Sequence, residues 1–190
     1  MDFELKINPG NGVNDIAFGM TSDEVEKHMG VAEEVMNFMS VSSDDCSKRK
    51  ETRGKVSYIY ENDKLICISG ELSAPFTLDG EKLPFTAIEV IKFLKSKSKY
   101  NIRLVDIFSY IFADIGIVLY PYKTIDIEAG VQSTATTQRI AICDNKVLQR
   151  YYQHFSHKQE TKNDELNSQL IEQVGRFIED RLEQEKTDEE

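Results

Sequence analysis

Two short runs organise this chain: MTSDEV, Met20 to Val25, and FTAIEV, Phe85 to Val90, which lie 65 positions apart. In the first, Thr21 is placed to cap a helix and Glu24, three residues on, completes a capping box. Met20 and Val25 stand where a hydrophobic staple would sit, and Gly30 offers a left-handed end. The second run matches position by position. Thr86 caps, Glu89 answers it, and Phe85 pairs with Val90. Val90, Ile91, Phe93 and Leu94 give this second helix the broader apolar face.

Beyond these runs, each helix is succeeded by alternating apolar stretches. After the first come SYIYEN and KLICISGEL, separated by Asn62-Asp63, a hairpin signal. After the second come RLVDIFSYIF, IGIVLYPY, TIDIEAGVQS and QRIAICD. These read as strands, although RLVDIFSYIF also has the spacing of a short helix. The expected fold class is α+β: tandem helix–β-hairpin repeats with mainly antiparallel sheet, plus a long C-terminal amphipathic helix. The expected divisions are a first repeat over 1–78, a second over 79–157 packed on it, and an acidic helix and tail over 158–190.

Ahead of the first helix, INPGNGVND is rich in turn residues. SAPFTLDGEKLPF joins the halves, with two prolines and Asp79-Gly80. The stretch SVSSDDCSKRKETRGK reads as a solvated loop, its Lys48–Lys55 portion being the one dense basic run. Residues 158–190 hold five basic and eleven acidic side chains, −6 of the total. There Leu166, Leu170, Val174, Phe177, Ile178 and Leu182 recur at helical spacing over about 30 Å. Gly175 weakens that helix by about 1 kcal/mol relative to alanine. The stripe must be covered by the body, by a second copy through 164–184, or by a partner.

The chain has 190 residues, 40% hydrophobic and 29% charged, enough for a self-sufficient core. Twenty-three basic residues against thirty-three acidic leave −10. That balance opposes direct nucleic-acid binding, which needs a basic footprint, and favours encounter with a basic protein. No stretch reads as a secretory signal or a membrane span. Cys46, Cys67 and Cys143 are an odd, scattered set that suits a reducing cytoplasm.

Little in the chain points to reactive chemistry. His154 and His157 have i, i+3 spacing, which would suit a metal pair. They lack an intervening Glu or a nearby Cys and read as surface histidines, as does His28. There is no nucleophile elbow and no phosphate-binding loop. Cys46, between Asp45 and Lys48, is the one thiol in an electropositive setting. The expectation is therefore no enzyme, no cofactor and no metal.

GVNDIAFGMTSDEVEKHMG, Gly12 to Gly30, resembles the opening G-V-x-D-I-x-F-G-M-T-x-x-E-V-x-x-x-x-G of a group of bacterial two-repeat α+β proteins. The later DIGIVLYP, AGVQS and Tyr151-Tyr152 are similar to strands and an aromatic pair in the same group, so the likeness spans about residues 7–155. Members recur among cytoplasmic immunity proteins of contact-dependent growth inhibition. The resemblance implies a chain that binds the C-terminal domain of a cognate toxin, a basic nuclease with ribonuclease first, and occludes its active site. The contact residues expected for such a partner are Glu33, Glu34, Asp44, Asp45, Glu61 and Asp63, all in presumed loops around the first helix and hairpin. A non-enzymatic scaffold protein, self-associating through its C-terminal helix, is the competing class.

Overall fold

Thr21 does cap the first helix, α1 (Ser22–Met29), and the box is complete. The Glu24 amide donates to Thr21 Oγ1 at 3.3 Å, and Thr21 N donates back to Glu24 Oε2 at 2.8 Å. That backbone donor is the chief reason the Glu24 carboxyl is held below its usual pKa. The second helix, α2 (Ala87–Lys97), is capped by half of the device. Glu89 N donates to Thr86 Oγ1 at 3.4 Å, but the Glu89 carboxylate takes the threonine hydroxyl rather than its amide. Phe85 is 65% exposed, with the Lys82 ammonium over its ring, so no staple buries it. Thr21→Ala is expected to cost about 1 kcal/mol and Thr86→Ala less, as shifts in urea midpoint. Equal shifts would count against a reciprocal box at only one helix.

The computed structural model describes residues 4–39, 47–104, 109–120, 125–126, 131–132, 138–159, 173, 176–181 and 183–184. The strands are β1 (Leu5–Asn8), β2 (Gly12–Val13), β3 (Ile16–Ala17), β4 (Glu34–Met39), β5 (Ser47–Arg53), β6 (Val56–Glu61) and β7 (Lys64–Glu71). They continue with β8 (Phe76–Leu78), β9 (Glu81–Lys82), β10 (Asn101–Leu104), β11 (Ser109–Phe112), β12 (Ile117–Tyr120), β13 (Ile125–Asp126), β14 (Val131–Gln132) and β15 (Arg139–Cys143). A third helix, α3, covers Asn145–Gln159.

Eight strands form one antiparallel sheet in the order β10-β11-β12-β15-β7-β6-β5-β4. Five short ones form a second sheet, β3-β2-β1-β8-β9, in which β1 and β8 run parallel. The central strands of the large sheet are apolar on both faces, as burial on both sides demands. One face sends Tyr58, Tyr60, Ile68, Phe112, Ile117 and Ile142 into a core shared with the small sheet, Val25 of α1, and Val90 and Leu94 of α2. The other sends Ile59, Cys67, Ile111, Val118 and Cys143 against Val147 and Leu148 of α3. An irregularity between Ile59 and Tyr60 lets Ile66 and Cys67 of β7 join the same core.

This architecture corrects the expected α+β class. The protein is mostly β-sheet, and β4–β7 after α1 merge with β10–β12 and β15 after α2 into one sheet, not into separate hairpin units. The seam is the β7–β15 pair, five residues in register from Arg139 opposite Glu71 to Cys143 opposite Cys67. Residues on either side of position 78 therefore share both sheets.

The long C-terminal helix is also overturned. Among the described residues the last continuous helix of any length is α3, with helical positions beyond it at 173, 176–181 and 183–184. There Phe177 stacks on Tyr100 with ring centroids 4.6 Å apart, and Ile178 is buried in the α3-side core. These two apolar residues are thus covered by the body of the protein. Leu166, Leu170, Val174 and Leu182, and most of the proposed 164–184 dimer segment, lie outside the described residues. No helix among the described residues is long and apolar enough to cross a membrane.

Candidate functional site

The stretch read as a basic loop is a strand. β5 pairs with β4 on one side and β6 on the other over six positions each. Strand alternation puts Arg49, Glu51 and Arg53 on the face toward α1, and Lys48, Lys50 and Thr52 on the face toward α3. A run of charges can be extended and partly buried here because each face supplies counter-charges.

On the α1 face the counter-charge is Glu51, 1% exposed. Ser22 Oγ donates to Oε1 at 2.5 Å and the Tyr60 hydroxyl donates to Oε2 at 3.2 Å. Arg49 lies 2.5 Å from Oε1 and Arg53 2.9 Å from Oε2. Burial alone would raise the Glu51 carboxyl, but Ser22, Arg53 and Arg49 outweigh it and hold its pKa below the usual value. The tyrosines move the other way. Burial pushes Tyr58 up to about 12, and burial plus the Glu51 charge raises Tyr60 further. Arg53 also donates from Nε to the Gly30 carbonyl at 2.7 Å, and its guanidinium lies over the Tyr58 ring. The cluster thereby fastens both ends of α1 to the sheet. A carboxylate saturated by two hydroxyls and two guanidiniums is a fastening rather than a general base. Two cations against one anion leave Arg49 Nε and Arg53 Nη2 without hydrogen-bond partners among the described residues.

On the α3 face, Arg150 grips Glu61 through two bonds of 2.8 and 3.2 Å, and Lys48 stands 3.9 Å away. Glu61, expected at a partner contact, is therefore committed to holding α3. Asp63 sits exposed in the β6–β7 turn, where Asn62 and Asp63 both take positive φ, 50° and 58°. Glu33 and Glu34 are exposed at the other end of the sheet, since Glu34 is opposite Thr52 whereas Glu61 is opposite Lys48. Four residues along β5 separate those levels by about 13 Å. The four described candidates do not converge. Asp44 and Asp45 lie outside the described residues, as does Cys46.

What the charge reading missed is the outer side of α1. Asp23 and Glu26 are exposed there, and the chain runs from that helix directly into Glu33 and Glu34. None of the four has an ion-pair partner among the described residues. The signal was available, because Asp23 and Glu26 are acidic positions of α1 distinct from its buried residues, Ser22 and Val25.

The remaining candidates are accounted for by packing. Cys67 and Cys143 are buried thiols directly opposite each other, 3.6 Å between sulfurs. His28 is exposed, and His154 and His157 belong to α3, with their side chains outside what is described. No group of three His, Cys, Asp or Glu able to hold a metal occurs among the described residues. Compared with protein-family models, curated proteins and solved structures, the chain matches none.

Proposed function

We propose that this chain is a bacterial immunity protein that acts in the cytoplasm. It binds the C-terminal domain of a cognate growth-inhibition toxin, a basic nuclease with ribonuclease first, and covers its active site. The observation that carries the reading is the run of carboxylates Asp23, Glu26, Glu33 and Glu34, unpaired among the described residues, on a chain of net charge −10. An acidic surface of that kind steers a cationic domain toward it, and can occupy the cationic groups that a nuclease uses for phosphate. The resemblance over Gly12 to Gly30 supports the same reading, since α1 lies within it.

Co-expression with the toxin domain encoded beside this gene tests the proposal. Cells are expected to survive, and the two chains to co-purify one to one. The triple variant Asp23→Lys, Glu26→Lys, Glu33→Lys is expected to slow association about tenfold or more at low salt. The gap should close at high salt, because rim charges act on the encounter. Absence of both complex and protection would sink the reading.

A further inference from the structure

Packing explains why Cys67 and Cys143 are buried, but it does not require that they meet. They meet because the β7–β15 register sets them directly opposite, 76 positions apart in the chain, with their sulfurs 3.6 Å from each other. The hydrogen bonds around them fix the kind of pair. Asp144 N donates to the Ile66 carbonyl and Leu72 N to the Gln138 carbonyl, so the bonds joining these strands fall on the alternate positions. Cys143 N turns the other way and donates to the Gly116 carbonyl, just ahead of β12. Cys67 and Cys143 are therefore a non-hydrogen-bonded pair, the arrangement with Cα atoms about 4.5 Å apart and side chains closest. A disulfide spans Cα separations of about 4.4–6.8 Å, so the strands already stand where a bridge needs them. Rotation of the two side chains is what remains to bring the sulfurs to a bond of about 2.05 Å.

We propose that Cys67 and Cys143 form a modification site, at which hydrogen peroxide oxidises the folded chain to a disulfide that locks the β7–β15 seam. The inference uses none of the carboxylates of the toxin reading and stands apart from it. One sulfur attacks the peroxide: an S–O bond forms, the O–O bond breaks, and the released oxygen leaves as water with the thiol's proton. The other sulfur attacks the sulfenic sulfur so made. The S–S bond forms, the S–O bond breaks, and the second thiol's proton leaves with that oxygen as a second water. Two thiols are oxidised and one peroxide is reduced.

Burial selects the oxidant. Both sulfurs lie in the core that Val147 and Leu148 of α3 and Ile178 also line. A bulky disulfide reagent would need that cover removed, whereas peroxide is small and uncharged and needs only a local opening. Contact selects the product. The second thiol touches the first, so it takes the sulfenic acid before another peroxide carries it further up the oxidation ladder. Topology sets the effect. The bridge ties two strands that are neighbours in the sheet but 76 positions apart in sequence, so it restricts the unfolded chain far more than the folded one.

Peroxide treatment of the folded, full-length Cys46→Ser variant tests this, because only the pair then remains to react. After treatment, unfolding and alkylation, the expected chain carries no alkylated thiol and is lighter by two hydrogens, with Cys67 and Cys143 joined in one proteolytic fragment. Its urea midpoint should rise by about 1 M or more and return to the starting value with dithiothreitol. The same treatment of Cys46→Ser with Cys67→Ser should leave the midpoint where it was. Two thiols that still alkylate overturn the proposal, as does oxygen added to either sulfur in place of the bridge. A bridged chain whose midpoint is unchanged or lower also overturns it, since the folded strands would then not accommodate the bond. A rise that persists in the chain lacking Cys67 does the same, because no bridge could be its cause.

Discussion

Glu51→Ala is expected to cost about 3–5 kcal/mol in urea unfolding at neutral pH, because removing one partner of a buried pair leaves the other charge uncompensated. Here the stranded charge is chiefly Arg53, buried between Tyr58 and the end of α1. Arg49 is half exposed and can turn to water. Ser22 and Tyr60 would also lose their shared acceptor. Glu51→Gln keeps the shape but not the charge and should fall between the two. The effect carries a pH signature. The folded-state pKa of Glu51 lies below its unfolded value of 4.5, so its contribution is fully present above that value and is lost as pH falls through the lower, folded pKa. The stability gap between wild type and Glu51→Gln should therefore be flat from pH 7 to about 5 and narrow below it. A gap of under 1 kcal/mol at neutral pH would show that the cluster is hydrated and screened like a surface pair.

Gly12→Ala should be the most damaging glycine substitution in the chain's first turn-rich segment. Gly12 starts β2 with φ 135°, opposite Ala17 of β3. A Cβ there would lie 2.0 Å from the Ile16 carbonyl oxygen and 3.2 Å from the Ala17 Cα, both backbone. Neither can yield without opening the β2–β3 pair, so about 3 kcal/mol or more is expected. Gly80→Ala separates clash from dihedral strain. Gly80 has φ 77° but open space where the Cβ would go, so it should cost only about 1–2 kcal/mol. Denaturant midpoints of the two variants check this. Equal losses would mean that the close approach at Gly12 relaxes freely.

The same contrast between local and distant causes separates what could be read from the chain. The α1 capping box is legible because Thr21 and Glu24 need only each other. The Asn62-Asp63 turn is legible because its left-handed backbone depends on those two residues. Phe85 resembled Met20 in sequence, yet it is exposed, since whether a staple closes depends on how the helix sits on the sheet. The site divides in the same way. Glu33 and Glu34 were recognisable as exposed carboxylates, but Glu61 was not recognisable as the counter-ion of Arg150, 89 positions away.

Residue order alone set the net charge, the two capped helices, the tight turns and the apolar strands, all governed by interactions within a few residues. The folded arrangement was needed to make SKRKETR a strand, because its charges become tolerable only beside Ser22, Tyr60 and Arg150. It also merged strands from both halves across the β7–β15 seam, and docked Phe177 and Ile178 on the body. Each of these turns on pairing partners far apart in the chain, whose identity no local pattern of residues encodes.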